Sequence, residues 1–282
     1  YLRLLYDVDA AHLKAEDPEH YRRLSRLLSA DLMEAAIGEW RRPASSCDGA
    51  LVWMLKDLTP GPGWGVVDSN GMPKLAWHGL RRAFRPVQVA VTDEGLNGLG
   101  IHVINEAETP LRARLTLVCL LAGDIVVMRR ECEIALPARG ARTMSTAELI
   151  GSFFDITYAY RFGAPSLDVA IFTLTDAVTG ERLAEAAHYP LGRAALAHDP
   201  GLSASLEREG EGWAVTIRAE KFAACLQIEA PHHRAEDDGF HLLPGEQRRV
   251  KLLPTGVADG RPAGEILSIA PLRERTVSVR FG

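Results

Sequence analysis

The pattern of the sequence changes at Pro86, after which the chain reads Val87-Gln-Val-Ala-Val91. Apolar residues alternate there with other residues, which is typical of a β-strand with one buried face. The same alternation recurs further along the chain, at Ile101 and Val103, at Leu115, Leu117 and Cys119, at Val169 and Ile171, and at Val215 and Ile217. Turn residues separate these runs at intervals of about eight to twelve positions, as in antiparallel sandwiches. We therefore predict a mostly β fold.

The alternating region is interrupted between Leu191 and Gly201, where the strand pattern stops. This break predicts two antiparallel β-sandwich domains, with boundaries at 86–195 and 196–282. The second contains about seven short predicted strands, which is the number typical of an immunoglobulin-like domain. A turn is predicted in it at 273–275.

The first 85 residues follow a helical period instead. Asp17 and Pro18 form a helix start, with Asp as the N-cap and Pro at the first position, where no N–H is needed. Apolar residues then recur at a spacing of three or four and share one helix face, namely Tyr21, Leu24, Leu28, Leu32 and Ala35. The helix is predicted to end at Arg41-Arg-Pro43. A second, shorter helix is predicted from Pro73 to Arg85.

Between these helices, Gly49-Ala-Leu-Val-Trp-Met-Leu55 is almost entirely apolar. A strand that is apolar on both faces is buried on both faces, as in a parallel sheet covered by helices. A single strand of this kind has no sheet of its own, and a (β/α)8 TIM barrel needs roughly 250 residues. We therefore predict that 1–85 supply the last βα unit of such a barrel. The chain starts at Tyr1 without an initiator methionine or a signal-peptide pattern, so we expect the other strands upstream.

The composition is that of an ordinary globular protein, with 47% hydrophobic and 24% charged residues and a net charge of −5. The mild acidity argues against a nucleic-acid partner, which would require a basic face. No apolar run approaches the roughly 18–20 residues of a membrane span. The four cysteines are too sparse for a disulfide framework, which weakly favours a reducing, cytoplasmic compartment. Arginine makes up 27 of the 32 basic residues, which suggests a GC-rich, bacterial source.

Several motifs carry a resemblance to a known family. Four of them follow one another in the first segment: Gly49-Ala-Leu-Val-Trp-Met-Leu-Lys-Asp57, Gly63-Trp-Gly-Val-Val-Asp68, Gly71-Met-Pro-Lys74 and Arg81-Arg-Ala-Phe-Arg-Pro86. They resemble the last barrel strand and helix of the β-mannosidases of glycoside hydrolase family two. Near the other end, Asp237-Asp-Gly-Phe-His-Leu-Leu-Pro-Gly-Glu246 resembles a motif of the immunoglobulin-like domain that closes mannosidase chains.

The resemblance implies a retaining, exo-acting enzyme that hydrolyses terminal β-D-mannose residues with two glutamates. Both glutamates are expected on barrel strands upstream of this chain, and no metal or cofactor is needed. The Asn105-Glu106 pair lies where a strand meets a turn, so we interpret it as structural. The glutamates before position 49 lie on or beside the predicted helix, namely Glu16, Glu19, Glu34 and Glu39. We therefore predict no catalytic carboxylate in this chain and no activity for the chain alone.

Three residues are predicted to bind substrate: Trp53, Asp57 and Trp64. Trp53 lies toward the carboxyl end of the last strand, where barrel enzymes bind substrate, and its indole can stack on a sugar face. Asp57 and Trp64 follow on the next loop and either contact sugar hydroxyls or brace the loop. Lys56 stands where the family usually has Asn, and Thr59-Pro60 where it often has Trp-Pro. The identity of the sugar therefore stays open.

Other features have structural interpretations. The charged run from His232 to His241 lacks the ligand spacing of a zinc site, so we predict a solvated loop and no metal site. Trp213 alternates with Val215 and Ile217 and is predicted to be a core residue. Three further aromatic residues, Tyr158, Tyr160 and Phe162, share one face of a predicted strand, which is either core or an exposed stripe for glycan. Core is the favoured interpretation.

Two alternatives remain. Within the same class, the parent protein is a related exo-β-glucosaminidase or a β-galactosidase-type enzyme. In a different class, the chain is a non-catalytic carbohydrate-binding or structural β-sandwich protein, for which 1–85 would have to form a self-sufficient domain. The partners expected from the main hypothesis are a β-mannoside or a related oligosaccharide and the upstream part of the barrel.

Overall fold

The structure is a computed structural model that describes residues 1–210, 212–255, 260–269 and 277–282. The helices in these ranges are α1 (Leu2–Tyr6), α2 (Ala10–Glu16), α3 (Pro18–Arg41), α4 (Leu75–Ala83) and α5 (Thr146–Ile150). The strands of the first half of the β region are β1 (Val87–Asp93), β2 (Leu99–Asn105), β3 (Leu111–Leu121), β4 (Ile125–Leu136), β5 (Gly140–Ser145), β6 (Val169–Asp176) and β7 (Arg182–His188). Those of the second half are β8 (Leu202–Glu209), β9 (Gly212–Ala219), β10 (Ala223–Glu229), β11 (His233–Ala235), β12 (Phe240–Leu242), β13 (Gln247–Pro254), β14 (Gly264–Ser268) and β15 (Val277–Phe281). The turn predicted at 273–275 lies outside the described residues.

The chain divides into two compact units. The central unit comprises 31–51 and 80–191, and the C-terminal unit comprises 1–30, 52–79 and 192–282. The first 85 residues therefore contribute to both units. The division into 1–85, 86–195 and 196–282 stays a prediction.

The central unit is built on two antiparallel sheets with strand orders β1-β2-β5 and β4-β3-β6-β7. Their inner faces share one core, which includes Ile101, Leu117 and Phe172. Cys119 lies opposite Met128 in the β3–β4 pair. Cys119 keeps a free thiol, and burial raises its pKa to about 12. The thiol is therefore protonated and unreactive at neutral pH.

The C-terminal unit contains two further antiparallel sheets, with strand orders β11-β13-β9-β8 and β12-β10-β14-β15. Buried residues from both sheets form its core, among them Val215, Leu226 and Ile266. Trp213 is partly buried and packs against this core, in agreement with its predicted role. The mostly β, antiparallel fold class is therefore confirmed.

Helix α3 begins where the sequence predicts, because the Asp17 carboxylate accepts a hydrogen bond from His20 N at 2.9 Å. The predicted apolar face is wrong in part. The most buried positions are Leu24, Leu27, Ala30 and Ile37, whereas Ala35 is exposed. In the C-terminal unit, Leu24, Leu27 and Ala30 form a second cluster with Leu2 and Tyr6 of α1. The short helices before α3 therefore select the face that is buried.

The strand predicted at Gly49–Leu55 is not a regular strand. Lys56 and Val67 form an isolated parallel bridge, and Val67 pairs with Pro73, but neither bridge belongs to a sheet of the part of the chain that the structure describes. The apolar side chains of Leu51 and Leu55 in this segment are exposed. Within the described residues, no helix is long and apolar enough to cross a membrane.

Candidate functional site

The three residues predicted to bind substrate lie in one loop of the C-terminal unit, residues 52–68, which we call the tryptophan loop. Two stretches of this loop, 54–57 and 64–67, run parallel and share backbone hydrogen bonds. The donor and acceptor pairs are Met54 N to Trp64 O (3.4 Å), Val66 N to Met54 O (3.0 Å), Val67 N to Leu55 O (2.9 Å) and Asp57 N to Val67 O (3.0 Å). Trp53 and Trp64 therefore lie at the same end of the paired stretches.

Asp57 is buried, with only 4% of its surface exposed. Its Oδ1 accepts a hydrogen bond from Gly65 N at 2.6 Å, and its Oδ2 lies 2.5 Å from Lys74 Nζ. The Lys74 ammonium and the Gly65 N–H lower the pKa of the Asp57 carboxyl, against the opposing effect of burial. Lys74 also donates to the carbonyl oxygen of Gly63 at 3.2 Å. An ionised carboxylate thus ties both stretches of the loop to the residue that precedes α4.

Two glycines allow this close approach. A Cβ on Gly63 would lie 2.3 Å from Asp57 Oδ1, and a Cβ on Gly65 would lie 2.4 Å from the backbone nitrogen of Asp57. Such distances are far below van der Waals contact, so a side chain at position 63 must displace the Asp57 carboxylate and one at position 65 must displace the backbone of Asp57. These glycines are therefore part of the Asp57 site.

Trp53 and Trp64 are 75% and 77% exposed. Leu55 and Leu58 of the same loop are exposed as well, and the Trp53–Met54 peptide bond is cis. Large apolar side chains that are exposed together on an ordered loop mark a surface that contacts a ligand or another part of a protein. The tryptophan loop therefore has the chemistry of a binding surface.

The motif from Asp237 to Glu246 forms internal bonds of the C-terminal unit. Asp238 Oδ1 accepts hydrogen bonds from Ile228 N (3.0 Å) and Gly239 N (2.9 Å), and Glu246 accepts one from Leu243 N. His241 Nδ1 accepts the N–H of Cys225 at 2.9 Å. These contacts join the motif to β10, whose pairing with β12 has an irregular register.

Asp237 is buried and contacts two other polar side chains. Its carboxylate forms an ion pair with Arg248 and lies 3.7 Å from His78 Nδ1 of α4. The solvated-loop interpretation is therefore wrong for Asp237 and His233, which are both buried. Across the described residues, no three His, Cys, Asp or Glu side chains are grouped so that they could hold a metal ion.

The Asn105-Glu106 pair has structural contacts in the central unit. The buried Asn105 amide donates to Thr109 O (2.9 Å) and Pro137 O (2.8 Å) and accepts from Ala107 N (3.2 Å). Glu106 forms an ion pair with Arg41 at 2.9 Å. Its structural interpretation agrees with these contacts.

The earlier glutamates belong to helical ion pairs rather than to a paired-carboxylate site. Glu19 pairs with Arg22 and Arg23, Glu34 with Arg82, and Glu39 with Arg42. Glu16 lies 3.5 Å from His12 on α2.

The core interpretation of Tyr158, Tyr160 and Phe162 is wrong. These residues lie in an irregular loop between α5 and β6, and Tyr160 and Phe162 are exposed. The segment contains Gly151, Gly163 and Pro165, which interrupt strand pairing and were the available signal against a strand.

Sequence reasoning assigned no role to Lys74, Gly65 or His78. Lys74 lies within a quoted motif, but its partner is 17 residues away, and the pairing depends on the path of the loop. The excess of glycines around Trp64 was the available signal for a close approach of two backbones.

Comparison with known proteins agrees with this architecture. Residues 197–266 match the Ig_mannosidase family model, which describes an Ig-fold domain. Among solved structures, the β-D-mannosidase from Dictyoglomus thermophilum has a TM-score of 0.71 at 13% identity. The match covers 100% of this chain and 32% of that protein. A complex of the Amycolatopsis orientalis exo-chitosanase CsxA has a TM-score of 0.67 at 15% identity, over 92% of this chain and 34% of its own. The fold is therefore that of the β-sandwich region of glycoside hydrolases.

Curated relatives define the family further. β-Mannosidase B of Aspergillus clavatus is 34% identical over 259 residues, which make up 84% of this chain and 29% of that protein. β-Mannosidase B of Thermothelomyces thermophilus is 32% identical over 93 residues, or 31% of this chain and 11% of that protein. The chain matches the C-terminal portion of the β-mannosidases of glycoside hydrolase family two, as the motifs predicted. It spans less than a third of the length of the curated relatives it matches.

Proposed function

We propose that this chain belongs to a retaining, exo-acting β-mannosidase that releases terminal β-D-mannose, and that the tryptophan loop forms one wall of its active site. The observation that carries the proposal is the geometry of this loop. A buried ion pair between Asp57 and Lys74 holds an ordered loop on which Trp53 and Trp64 stay exposed at the same end. The curated relatives that are named β-mannosidases support mannose as the sugar.

The three predicted site residues have different proposed roles. The Trp53 indole stacks on the apolar C–H face of the sugar, and Trp64 contributes a second aromatic contact. Asp57 braces the loop instead of binding sugar, because both of its oxygens already accept hydrogen bonds, from Gly65 and from Lys74. Asp57 is thus proposed as a positioning residue, and the two tryptophans are proposed as substrate-binding residues.

The reaction itself is proposed to take place on groups outside this chain. A retaining glycosidase uses two carboxyl groups about 5–5.5 Å apart, one as nucleophile and one as acid and base. These two groups carry the proton transfer and the covalent step, so the proposed mechanism needs no metal or cofactor. The partner of the tryptophan loop is then the rest of the barrel, whose strands end on the same side as Trp53.

Two further statements belong to this proposal. Residues 1–85 are proposed to complete the barrel, with 86–195 and 196–282 as the two sandwich domains. The exposed apolar segment around Leu51 supports this division, because a self-sufficient domain would bury such residues. A bacterial source stays a prediction from the arginine content, and the curated relatives, which are fungal, do not support it.

An exo-β-glucosaminidase or a β-galactosidase-type activity is the alternative within the class. A non-catalytic sandwich protein is the alternative outside it. A substrate panel on the parent protein, meaning this chain together with the proposed remainder of its barrel, separates these alternatives. The nitrophenyl β-glycosides of mannose, glucosamine and galactose are sufficient, and hydrolysis of none of the three would reject the proposed enzyme class.

The contribution of the tryptophan loop is tested by Trp53→Ala in the parent protein. We expect kcat/KM for nitrophenyl β-mannoside to fall by about fivefold or more, because stacking on an aromatic face contributes on the order of 1 kcal/mol or more. Val178→Ala is the control, since Val178 is an exposed residue of the central unit. Unchanged kinetics for Trp53→Ala would remove the tryptophan loop from the proposed site.

A further inference from the structure

A second aromatic surface lies in the central unit, on the loop between α5 and β6. Phe153, Tyr160 and Phe162 are 69%, 38% and 80% exposed, respectively. The rings of Tyr160 and Phe162 stack with centroids 5.8 Å apart and planes 29° apart, and Phe153 meets Tyr160 edge-on at 5.2 Å. We call these three residues the aromatic platform.

The loop that carries the platform is firmly held. The carboxylate of Asp155 accepts hydrogen bonds from Ala159 N (2.9 Å) and Tyr160 N (3.0 Å). Tyr160 Oη donates to Leu96 O at 3.2 Å, and Thr157 Oγ1 donates to the neighbouring carbonyl oxygen of Gly95 at 2.9 Å. Ile156 and Leu167 of the same loop are buried in the core of the unit. The exposure of the aromatic rings is therefore a feature of an ordered loop.

The same loop lines a cleft of about 470 Å³. Asp93, Thr157, Tyr158 and Arg161 line it, together with Leu191. Tyr158 and Arg161 have φ angles of 55° and 53°, in the left-handed region that such side chains rarely adopt. This backbone conformation is locally unfavourable, so the surrounding structure must hold it in place. Residues held in this way concentrate at binding and catalytic sites.

We propose that the aromatic platform and this cleft form a binding site for a neutral oligosaccharide. A pyranoside ring has an apolar C–H face and a rim of hydroxyl groups. Stiff aromatic rings bury such a face at a low cost in conformational entropy. The Arg161 guanidinium donates to hydroxyl oxygens and the Asp93 carboxylate accepts from hydroxyl hydrogens, so the two groups satisfy both roles of a hydroxyl. The net charge of −5 disfavours a nucleic acid on the same aromatic rings.

The test is isothermal titration calorimetry, which measures the binding of mannohexaose and of cellohexaose to the 282-residue chain. The choice of a mannan probe rests on the proposed function, and the second probe keeps the test of the site independent of it. We expect at least one probe to bind. We expect Phe162→Ala to weaken that binding by about tenfold, since the ring supplies an exposed stacking face. Arg161→Asn should also weaken it, and Asn tolerates the left-handed backbone at this position.

Two controls separate this site from other effects. Val178→Ala removes an exposed apolar side chain elsewhere in the same unit and should leave binding unchanged. Glu108→Gln removes an exposed charge elsewhere in the same unit and should also leave it unchanged. Absence of binding to both saccharides, or equal binding by Phe162→Ala and Arg161→Asn, overturns the proposal. Binding of a single-stranded oligonucleotide in place of both saccharides overturns it too.

Discussion

Asp57 and Lys74 form an ion pair, with Oδ2 and Nζ 2.5 Å apart, although 17 residues of chain separate them. The carboxylate also accepts the N–H of Gly65, so a single side chain joins the two stretches of the tryptophan loop. The conformation of this loop depends on contacts between residues distant in sequence, since its backbone forms only isolated bridges. The ion pair supplies the constraint that a sheet would otherwise provide.

Asp57→Asn should loosen the tryptophan loop without unfolding the sandwiches. Asparagine keeps a hydrogen-bond acceptor for Gly65 but loses the charge that pairs with Lys74. We expect faster proteolysis within 52–68 and a weaker near-ultraviolet circular dichroism signal from the tryptophans. Asp48→Asn, at an exposed position, is the matched control. Equal proteolysis of Asp57→Asn and the unmodified chain would contradict the bracing role.

The Asp57–Lys74 ion pair predicts that the stability of the tryptophan loop depends on pH. The pKa of Asp57 is lower in the folded chain than its ordinary value, chiefly because of Lys74. The pairing therefore stabilises the loop above the unfolded pKa of about 3.9 and loses its effect as pH falls through the lower, folded pKa. The difference in loop proteolysis between the unmodified chain and Asp57→Asn should be largest near neutral pH and vanish under acid conditions. A difference that persists below both pKa values would contradict the electrostatic explanation.

Gly65→Ala should disrupt the same loop through sterics. The added Cβ would lie 2.4 Å from the backbone nitrogen of Asp57, which cannot move without breaking its bond to Val67. Overpacking of this kind costs about 1–3 kcal/mol, seen as a lower melting temperature or a locally disordered loop. Gly49→Ala is the control, because nothing lies within 4 Å of a Cβ placed there. If both variants melt like the unmodified chain, the close approach at Gly65 is not required.

His241→Ala should destabilise the C-terminal unit. The ring accepts the N–H of the buried Cys225, whose φ of 46° takes it out of the regular strand geometry. A buried donor left without its acceptor costs about 1–3 kcal/mol in the free energy of unfolding. Urea unfolding measures this loss, with exposed His12→Ala as the control. A change in the free energy of unfolding no larger than that of the control would show that the contact is dispensable.

Glu106→Gln should leave catalysis by the parent protein unchanged. Glu106 pairs with Arg41 and follows Asn105, whose amide is fully engaged with backbone groups. Loss of a general acid or base lowers kcat by roughly 10²- to 10⁴-fold. A fall of that size for Glu106→Gln would mean that the catalytic pair lies in this chain after all.

Short-range features of the fold could be predicted from the sequence. The Asp17 N-cap is formed within a few residues of the helix it begins, and the β3–β4 register follows from a tight hairpin. Strand alternation predicted the mostly β fold for the same reason, since the burial pattern of a strand follows from the alternation of its own residues. These elements depend little on where the rest of the chain lies.

The features that could not be predicted depend on distant contacts. The buried face of α3 includes Leu27 and Ala30, which share a cluster with residues of α1 and with Leu75 of α4, and the sequence of α3 alone does not specify these neighbours. The segment 49–55 has a strand-like sequence, but no strand of the described residues pairs with it in a sheet. In the candidate site, Trp53, Asp57 and Trp64 were predicted from the motifs, whereas the contact of Lys74 with Asp57 depends on the path of the loop.

Hydrolysis of nitrophenyl β-mannoside by the purified 282-residue chain, measured beside the parent protein, tests the central claim most directly. The chain is expected to contribute a wall of the active site and no catalytic carboxylate. We predict that the parent protein releases nitrophenol with enzymatic turnover and that the chain alone releases it no faster than buffer. Release by the pure chain, abolished by substitution of one of its own glutamates, would contradict this account.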